Sequence, residues 1–303
     1  SLGSARHRLG EGRAAPILMN SIPFRPLVLF CLALAAVAPA SAEDYAVSTF
    51  AGTSGVSGSA DGTPGSFRNP YGIAIDSARN LYVSDTLNNT IRKVTPARVV
   101  TTLAGGAGAI GSADGTGSAA RFNFPLGLAA DSAGNVFVAD AKNSVIRRIT
   151  PAGVVSTYAG AASQFGSADG AAATARFFLP YGVAIDADGN LYVADSGNHT
   201  VRRITAAGVV STLAGSARQS GFTDGTGSAA RFNSPWGIAV DRSGTVFVSD
   251  NQNNAVRRIS PAGVVTTVAG SATGTAGSLD GTGGAARFDQ PRGLTVDASG
   301  SVF

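Results

Sequence analysis

The sequence predicts an all-β fold, a β-propeller of four-stranded antiparallel blades, and three observations carry that expectation. First, a Pro-x-Gly landmark recurs at Pro70, Pro125, Pro180, Pro235 and Pro291, at spacings of 55, 55, 55 and 56 residues. A fixed period in this range marks one supersecondary unit copied in series. Second, each copy holds four short apolar or alternating runs divided by turn residues, with no helical period anywhere. Third, Tyr45-Ala46-Val47-Ser48-Thr49-Phe50-Ala51-Gly52 matches the last run of a copy, Gly208 to Gly215, with no copy in front of it. A lone terminal strand of that kind is how propellers close their rings, which removes two exposed edges.

The copy beginning at Pro180 justifies the strands in order. Gly182-Val183-Ala184-Ile185-Asp186 is apolar on both faces, so it must be covered on both faces. The turn Asp186-Ala187-Asp188-Gly189-Asn190 has the local acceptors and the glycine that a tight hairpin needs. It leads to a second strand, Leu191 to Asp195. The third, Thr200-Val201-Arg202-Arg203-Ile204, is half polar, and Ala206-Ala207-Gly208 turns into the fourth, Val209 to Ala214. Polar alternation in these later strands places them further from the core. Complete blades are expected at about 70–104, 125–159, 180–214 and 235–269, with a partial fifth from Pro291. The expectation is therefore a truncated five- or six-bladed ring.

The first 42 residues differ in kind. From Met19, the single methionine, the chain reads as a signal peptide over 19–42. Arg25 supplies the charge, Leu27 to Val37 the apolar stretch, and Ala40-Ser41-Ala42 the cleavage site. Residues 1–18 stand upstream as an extension, and 43–303 form the propeller. This reading expects a secreted, periplasmic or cell-surface protein with no membrane insertion after cleavage. The formal charge of +4 largely leaves with the leader, because residues 43–303 carry 19 basic against 18 acidic groups. That balance gives no footing for nucleic acid. Cys31 also lies in the leader, so no disulfide or thiol chemistry is expected beyond it.

Asp195-Ser196-Gly197-Asn198-His199, between a G-N-L-Y-V-A run and V-R-R-I, resembles the NHL repeat. Asp85 to Asn89, Asp140 to Ser144 and Asp250 to Asn254 are similar in a looser way. The likeness runs over about 45–303. It implies a propeller, commonly six-bladed, that acts as a binding or interaction module. One copy alone has the family's histidine, so no role resting on that histidine carries over.

Blade topology puts the second-to-third turns and the long connections of about 20 residues on one face, which is the expected binding face. Asp61, Asp114, Asp169, Asp224 and Asp280 recur there with Arg121, Arg176, Arg231 and Arg287. The structural reading is an Asp–Arg pair pinning each connection, with a nearby Phe filling the gap between blades. The sharper reading is calcium on carboxylates, with Asp85, Asp140, Asp195 and Asp250 as weak candidates. Structure is favoured, since no D-x-[DN]-x-[DN]-G loop with a closing Glu is present; the default expectation is no cofactor. Positions that break the repeat carry more information. Tyr71, Leu126, Tyr181, Trp236 and Arg292 open the innermost strands and are expected to ring the channel mouth. Gln164, Phe165, Arg218, Gln219 and Phe222 are expected loop-face contacts. Such groups suit a protein, carbohydrate or small-molecule ligand.

Enzyme chemistry is short of parts. Beyond the leader there is one histidine, His199, and one glutamate, Glu43, so neither a His₃ nor a His₂Glu zinc site can form within 43–303. No G-x-S-x-G elbow occurs, and His199 reads as a turn residue. The expected function is a monomeric binding scaffold. The alternative is a propeller enzyme of the gluconolactonase or lyase type whose catalytic residues lie beyond Phe303.

Overall fold

Each 55-residue period closes into one antiparallel sheet in the computed structural model, which describes residues 46–271 and 273–303. The expected leader and extension lie outside the described residues. The chain divides into units at 1–47 and 48–303, and the sheets all belong to the second. The first blade comprises Pro70–Ile75, Leu81–Asp85, Thr90–Val94 and Val100–Ala104. The second comprises Pro125–Ala130, Val136–Asp140, Val145–Ile149 and Val154–Ala159. In the third are Pro180–Ile185, Leu191–Asp195, Thr200–Ile204 and Val209–Gly215. Pro235–Val240, Val246–Asp250, Ala255–Ile259 and Val264–Gly270 make the fourth. Strands pair in chain order from innermost to outermost. This is an all-β propeller with four complete blades.

Two departures from the sequence expectation stand out, while the fifth copy is partial, as expected. The long connections do not simply crowd one face. Gly115–Thr116, Gly170–Ala171 and Gly225–Thr226 each run down the outer edge of the following blade and add a short fifth strand to it. An outer strand left bare would expose unpaired backbone, and this strap covers it. The segment expected as a lone closing strand forms none, since 46–50 carry no strand and Gly52 N donates instead to Pro64 O. The fifth copy forms only a small hairpin, in which Thr295 and Phe303 exchange backbone bonds and Val296 bridges Val302.

Apolar clusters fill the space between consecutive blades. Phe122, Phe177 and Phe232, delivered by the connections, are fully buried in these clusters, as the sequence suggested. Close approach of the innermost strands explains the landmark glycine. A Cβ on Gly72 would lie 2.1 Å from Leu126 O, on Gly182 2.4 Å from Trp236 O, and on Gly237 2.1 Å from Arg292 O. No side chain fits at those distances. Hydroxyl and amide groups add further ties: Ser84 Oγ donates to Leu126 O, Thr86 Oγ1 to Pro125 O, and Asn251 Nδ2 to Pro291 O. Each such bond runs from one blade's second strand or turn to the Pro-x-Gly segment of the next copy.

Candidate functional site

The recurring Asp, Asn and Arg residues belong to the scaffold. Arg92, Arg147, Arg202 and Arg257, the first arginine of each third strand, are completely buried. The third strand lies further out in its blade, as expected, yet its first arginine points inward. Each guanidinium lies over a connection phenylalanine: Arg147 over Phe122 at 5.2 Å, Arg202 over Phe177 at 5.2 Å and Arg257 over Phe232 at 5.1 Å. Each also bridges two carboxylates, one from its own blade and one from the strap. For Arg147 these are Asp140 at 3.0 Å and Asp114 at 2.7 Å. Asp61, Asp169 and Asp224 pair in the same way with Arg92, Arg202 and Arg257.

The Asp–Arg pin therefore exists but uses a different arginine from the one expected. Arg121, Arg176 and Arg231 donate to strap carbonyls such as Ala120 O, Ala175 O and Ala230 O. Asp85, Asp140, Asp195 and Asp250, the weak calcium candidates, are fully buried, one per blade. Asp195 accepts from Arg202, from Asn198 Nδ2 at 2.8 Å and from Phe178 N at 2.8 Å. With an arginine already in the cation's place, this donor set does not suit calcium. Among the described residues no group of three His, Cys, Asp or Glu is placed to hold a metal. Burial pushes Asp140, Asp195 and Asp250 up to about 6 against these donors.

His199 sits at the left-handed position that closes its turn, φ 59°, and its Nδ1 accepts from Ser234 N at 3.0 Å. Asn89 and Asn254 do the same in their blades, accepting from Phe124 N and Gln290 N through Oδ1. The histidine is a turn residue, in line with the sequence pattern.

The repeat-breaking residues behave differently. Tyr71, Tyr181, Trp236 and Arg292, from four different blade positions, meet at one mouth. Trp236 is the hub: its ring stacks on Tyr71 at 5.7 Å and tilts against Tyr181 at 4.5 Å, while Arg292 lies over it at 4.9 Å. Beneath them is a cavity of about 370 Å³ lined by Tyr71, Tyr181, Trp236 and the apolar Leu128, Val183 and Ile238. Burial raises the pKa of the Tyr71 hydroxyl against the opposing pull of the Arg292 charge, and burial alone raises that of Tyr181. Leu126, expected in this ring, is instead buried in the scaffold at 1% exposure.

The loop-face residues do not line this cavity. Gln164 and Gln219 accept from Arg176 and Arg231, which pins the strap tips. The Arg218 amide donates to Asn198 O, and Phe222 packs against Arg257. Phe165 reaches Phe178 at 5.2 Å yet stays 63% exposed. The residues missed from sequence were the buried arginines, although a signal was present. Asp114 and Arg147, Asp169 and Arg202, and Asp224 and Arg257 are each 33 residues apart.

Four antiparallel blades, straps tied by buried ion pairs and an aromatic mouth define a β-propeller. The NHL repeat family matches residues 122–148, 179–204 and 232–259, each spanning the first three strands of a blade. The chain carries the NHL repeat in its second, third and fourth blades and is similar to NHL-repeat β-propellers. It is 32% identical over 151 residues to NHL repeat-containing protein 2 of Bos taurus, covering 46% of this chain and 21% of that one. The chain spans about a fifth or less of the length of the curated relatives it matches. Two solved propellers share the fold alone. One is an auxiliary nutrient binding protein from Bacteroides thetaiotaomicron, TM-score 0.52 at 17% identity, covering 83% of this chain and 71% of that one. The other is a gluconolactonase from Xanthomonas campestris, TM-score 0.51 at 16% identity, covering 78% and 69%.

Proposed function

We propose that this chain is a binding scaffold that takes a ligand with a planar or apolar face at the axial mouth. The carrying observation is the convergence of Tyr71, Tyr181 and Arg292 on Trp236 above an apolar cavity. Large apolar faces with a few polar atoms are how small-ligand sites are built, and a mouth assembled from several blades is rigid before the ligand arrives. The nutrient-binding neighbour makes a binding role reasonable for this fold. The leader at 19–42 supports action outside the cytoplasm, on a ligand met there.

Trp236 is the single tryptophan of the chain, so its fluorescence reports this mouth and nothing else. Titrating a panel of sugars, aromatic compounds and short peptides while reading that emission identifies the ligand. Trp236→Ala is expected to lower affinity for a ligand so found at least tenfold by calorimetry, with the unfolding transition nearly unchanged. Unaltered calorimetric affinity in that variant refutes the mouth as the site.

A further inference from the structure

The chemistry of the mouth specifies more than an aromatic face, and the ligand class it selects rests on the reading of that mouth as a binding site. Two of its polar atoms, Tyr71 Oη and Trp236 Nε1, are buried and have no hydrogen-bond partner among the described residues. A buried donor without an acceptor forfeits its hydration, and at the mouth, unlike in the blades, a ligand's acceptor can reach it. The Arg292 guanidinium lies over the same indole, and Arg292 and Trp236 both face the Tyr71 hydroxyl, so the three polar groups stand together, one of them charged. Among the described residues no carboxylate answers that cation: the ion pairs in the blades use the third-strand arginines, and Arg292 is in none of them.

Folding does not demand these atoms. In the second blade the same position is Leu126, which is buried and apolar and serves the scaffold without any polar group. The polar equipment at the other copies is therefore surplus to the scaffold. Below the donors the shaft turns largely apolar, with Thr295 on one wall. Ile73, Leu128, Val183 and Ile238 line the cavity under the mouth. Further in, Ala129, Ala184 and Ala239 of the same strands continue the shaft. Donors and charge at the rim with hydrocarbon beneath describe a complement with two ends.

We propose that the mouth binds a small organic acid: an apolar or aromatic body enters the shaft and a carboxylate stays at the rim. The carboxylate oxygens accept from Tyr71 Oη and Trp236 Nε1 and pair with Arg292. A charge-assisted bond of this kind is stronger than a neutral one. A cavity of about 370 Å³ is at the small end for ligand sites, which fits a single ring with a short chain.

The test uses two probes of the same body, 4-phenylbutyrate and 4-phenylbutyramide, titrated against the full chain with Trp236 emission and calorimetry as readouts. The acid is expected to bind at least tenfold more tightly than the amide. Arg292→Gln is expected to erase that preference to within about twofold and leave amide binding as it was. Tyr71→Phe, which keeps the ring, is expected to weaken the acid several-fold. Equal binding of the two probes, or tighter binding of the amide, overturns the acid assignment while leaving the mouth as a site for neutral ligands. Binding by calorimetry that Trp236→Ala does not change places the ligand elsewhere and overturns both readings. Failure of the acid to bind the folded chain also refutes the acid proposal; a neutral ligand recovered by the wider panel would then keep the site alone.

Discussion

Arg202 and Asp195 meet inside the third blade at 2.9 Å, Nη1 to Oδ2, with neither side chain exposed at all. The pair stands between two otherwise independent pieces of chain. Asp195 ends the second strand and ties the Phe178 amide, while the other arm of Arg202 reaches across to Asp169 in the strap. A charge buried this deeply is tolerated because the Asp195 carboxylate meets the opposite charge and accepts from Asn198 and Phe178 N as well. The same motif in each blade makes the strap part of the sheet, so the connections hold the shape that the mouth needs.

The two carboxylates of one arginine are expected to differ sharply. Asp195→Asn strands Arg202 without its buried partner and should cost about 3–5 kcal/mol. Asp169 is 47% exposed, so Asp169→Asn removes a screened contact and should cost less than about 1 kcal/mol. Urea unfolding of both variants decides this. A loss below about 1 kcal/mol for Asp195→Asn would show that the strap, and not the pair, carries the stability.

Glycine at the landmark is expected to be obligatory only where a neighbouring strand faces it. Gly182→Ala drives a methyl to 2.4 Å from Trp236 O and 3.0 Å from Ile238 Cγ2. Overpacking against a backbone atom costs about 1–3 kcal/mol or more, and here it also displaces the hub of the mouth. Gly293 has no atom within 4 Å of its virtual Cβ, so Gly293→Ala should leave the melting temperature within about a degree. Thermal melts followed by Trp236 emission report both effects at once. Equal tolerance at the two positions contradicts the close-approach account.

Most of the fold was legible because a repeat states its own boundaries. The second and third strands of the blade beginning at Pro180 run over the residues the sequence assigns them, Leu191–Asp195 and Thr200–Ile204. The mouth was legible for the opposite reason, since Tyr71, Tyr181, Trp236 and Arg292 break the repeat where the rest conforms. Periodicity failed at Arg202. Alternation treats a charged residue as a vote for solvent, and it cannot see that Asp195, seven residues back, and Asp169, in the strap, converge on that side chain. Leu126 misled in the same way, as an apolar group placed in a ring by analogy when the core had claimed it. The straps were missed because a two-residue strand such as Gly170–Ala171 has no pattern of its own, and only the exposed edge it covers gives it a reason to exist.

His199 gives the chain an acid-sensitive turn. Burial lowers its pKa in the folded chain, and its Nδ1 must stay unprotonated to accept from Ser234 N. The unfolded chain takes up a proton near the ordinary histidine value of about 6.5, which the folded chain resists. Its contribution to stability is therefore complete above about pH 6.5 and declines as pH falls toward the lowered folded value. Asn89 and Asn254 perform the same acceptor role with a group that does not titrate. His199→Asn should accordingly match the parent chain at pH 8 and exceed it in melting temperature at pH 5.5, with binding at the mouth unaltered at both. A variant that is weaker than the parent at pH 5.5, or that loses ligand affinity, would give His199 a role beyond holding its turn.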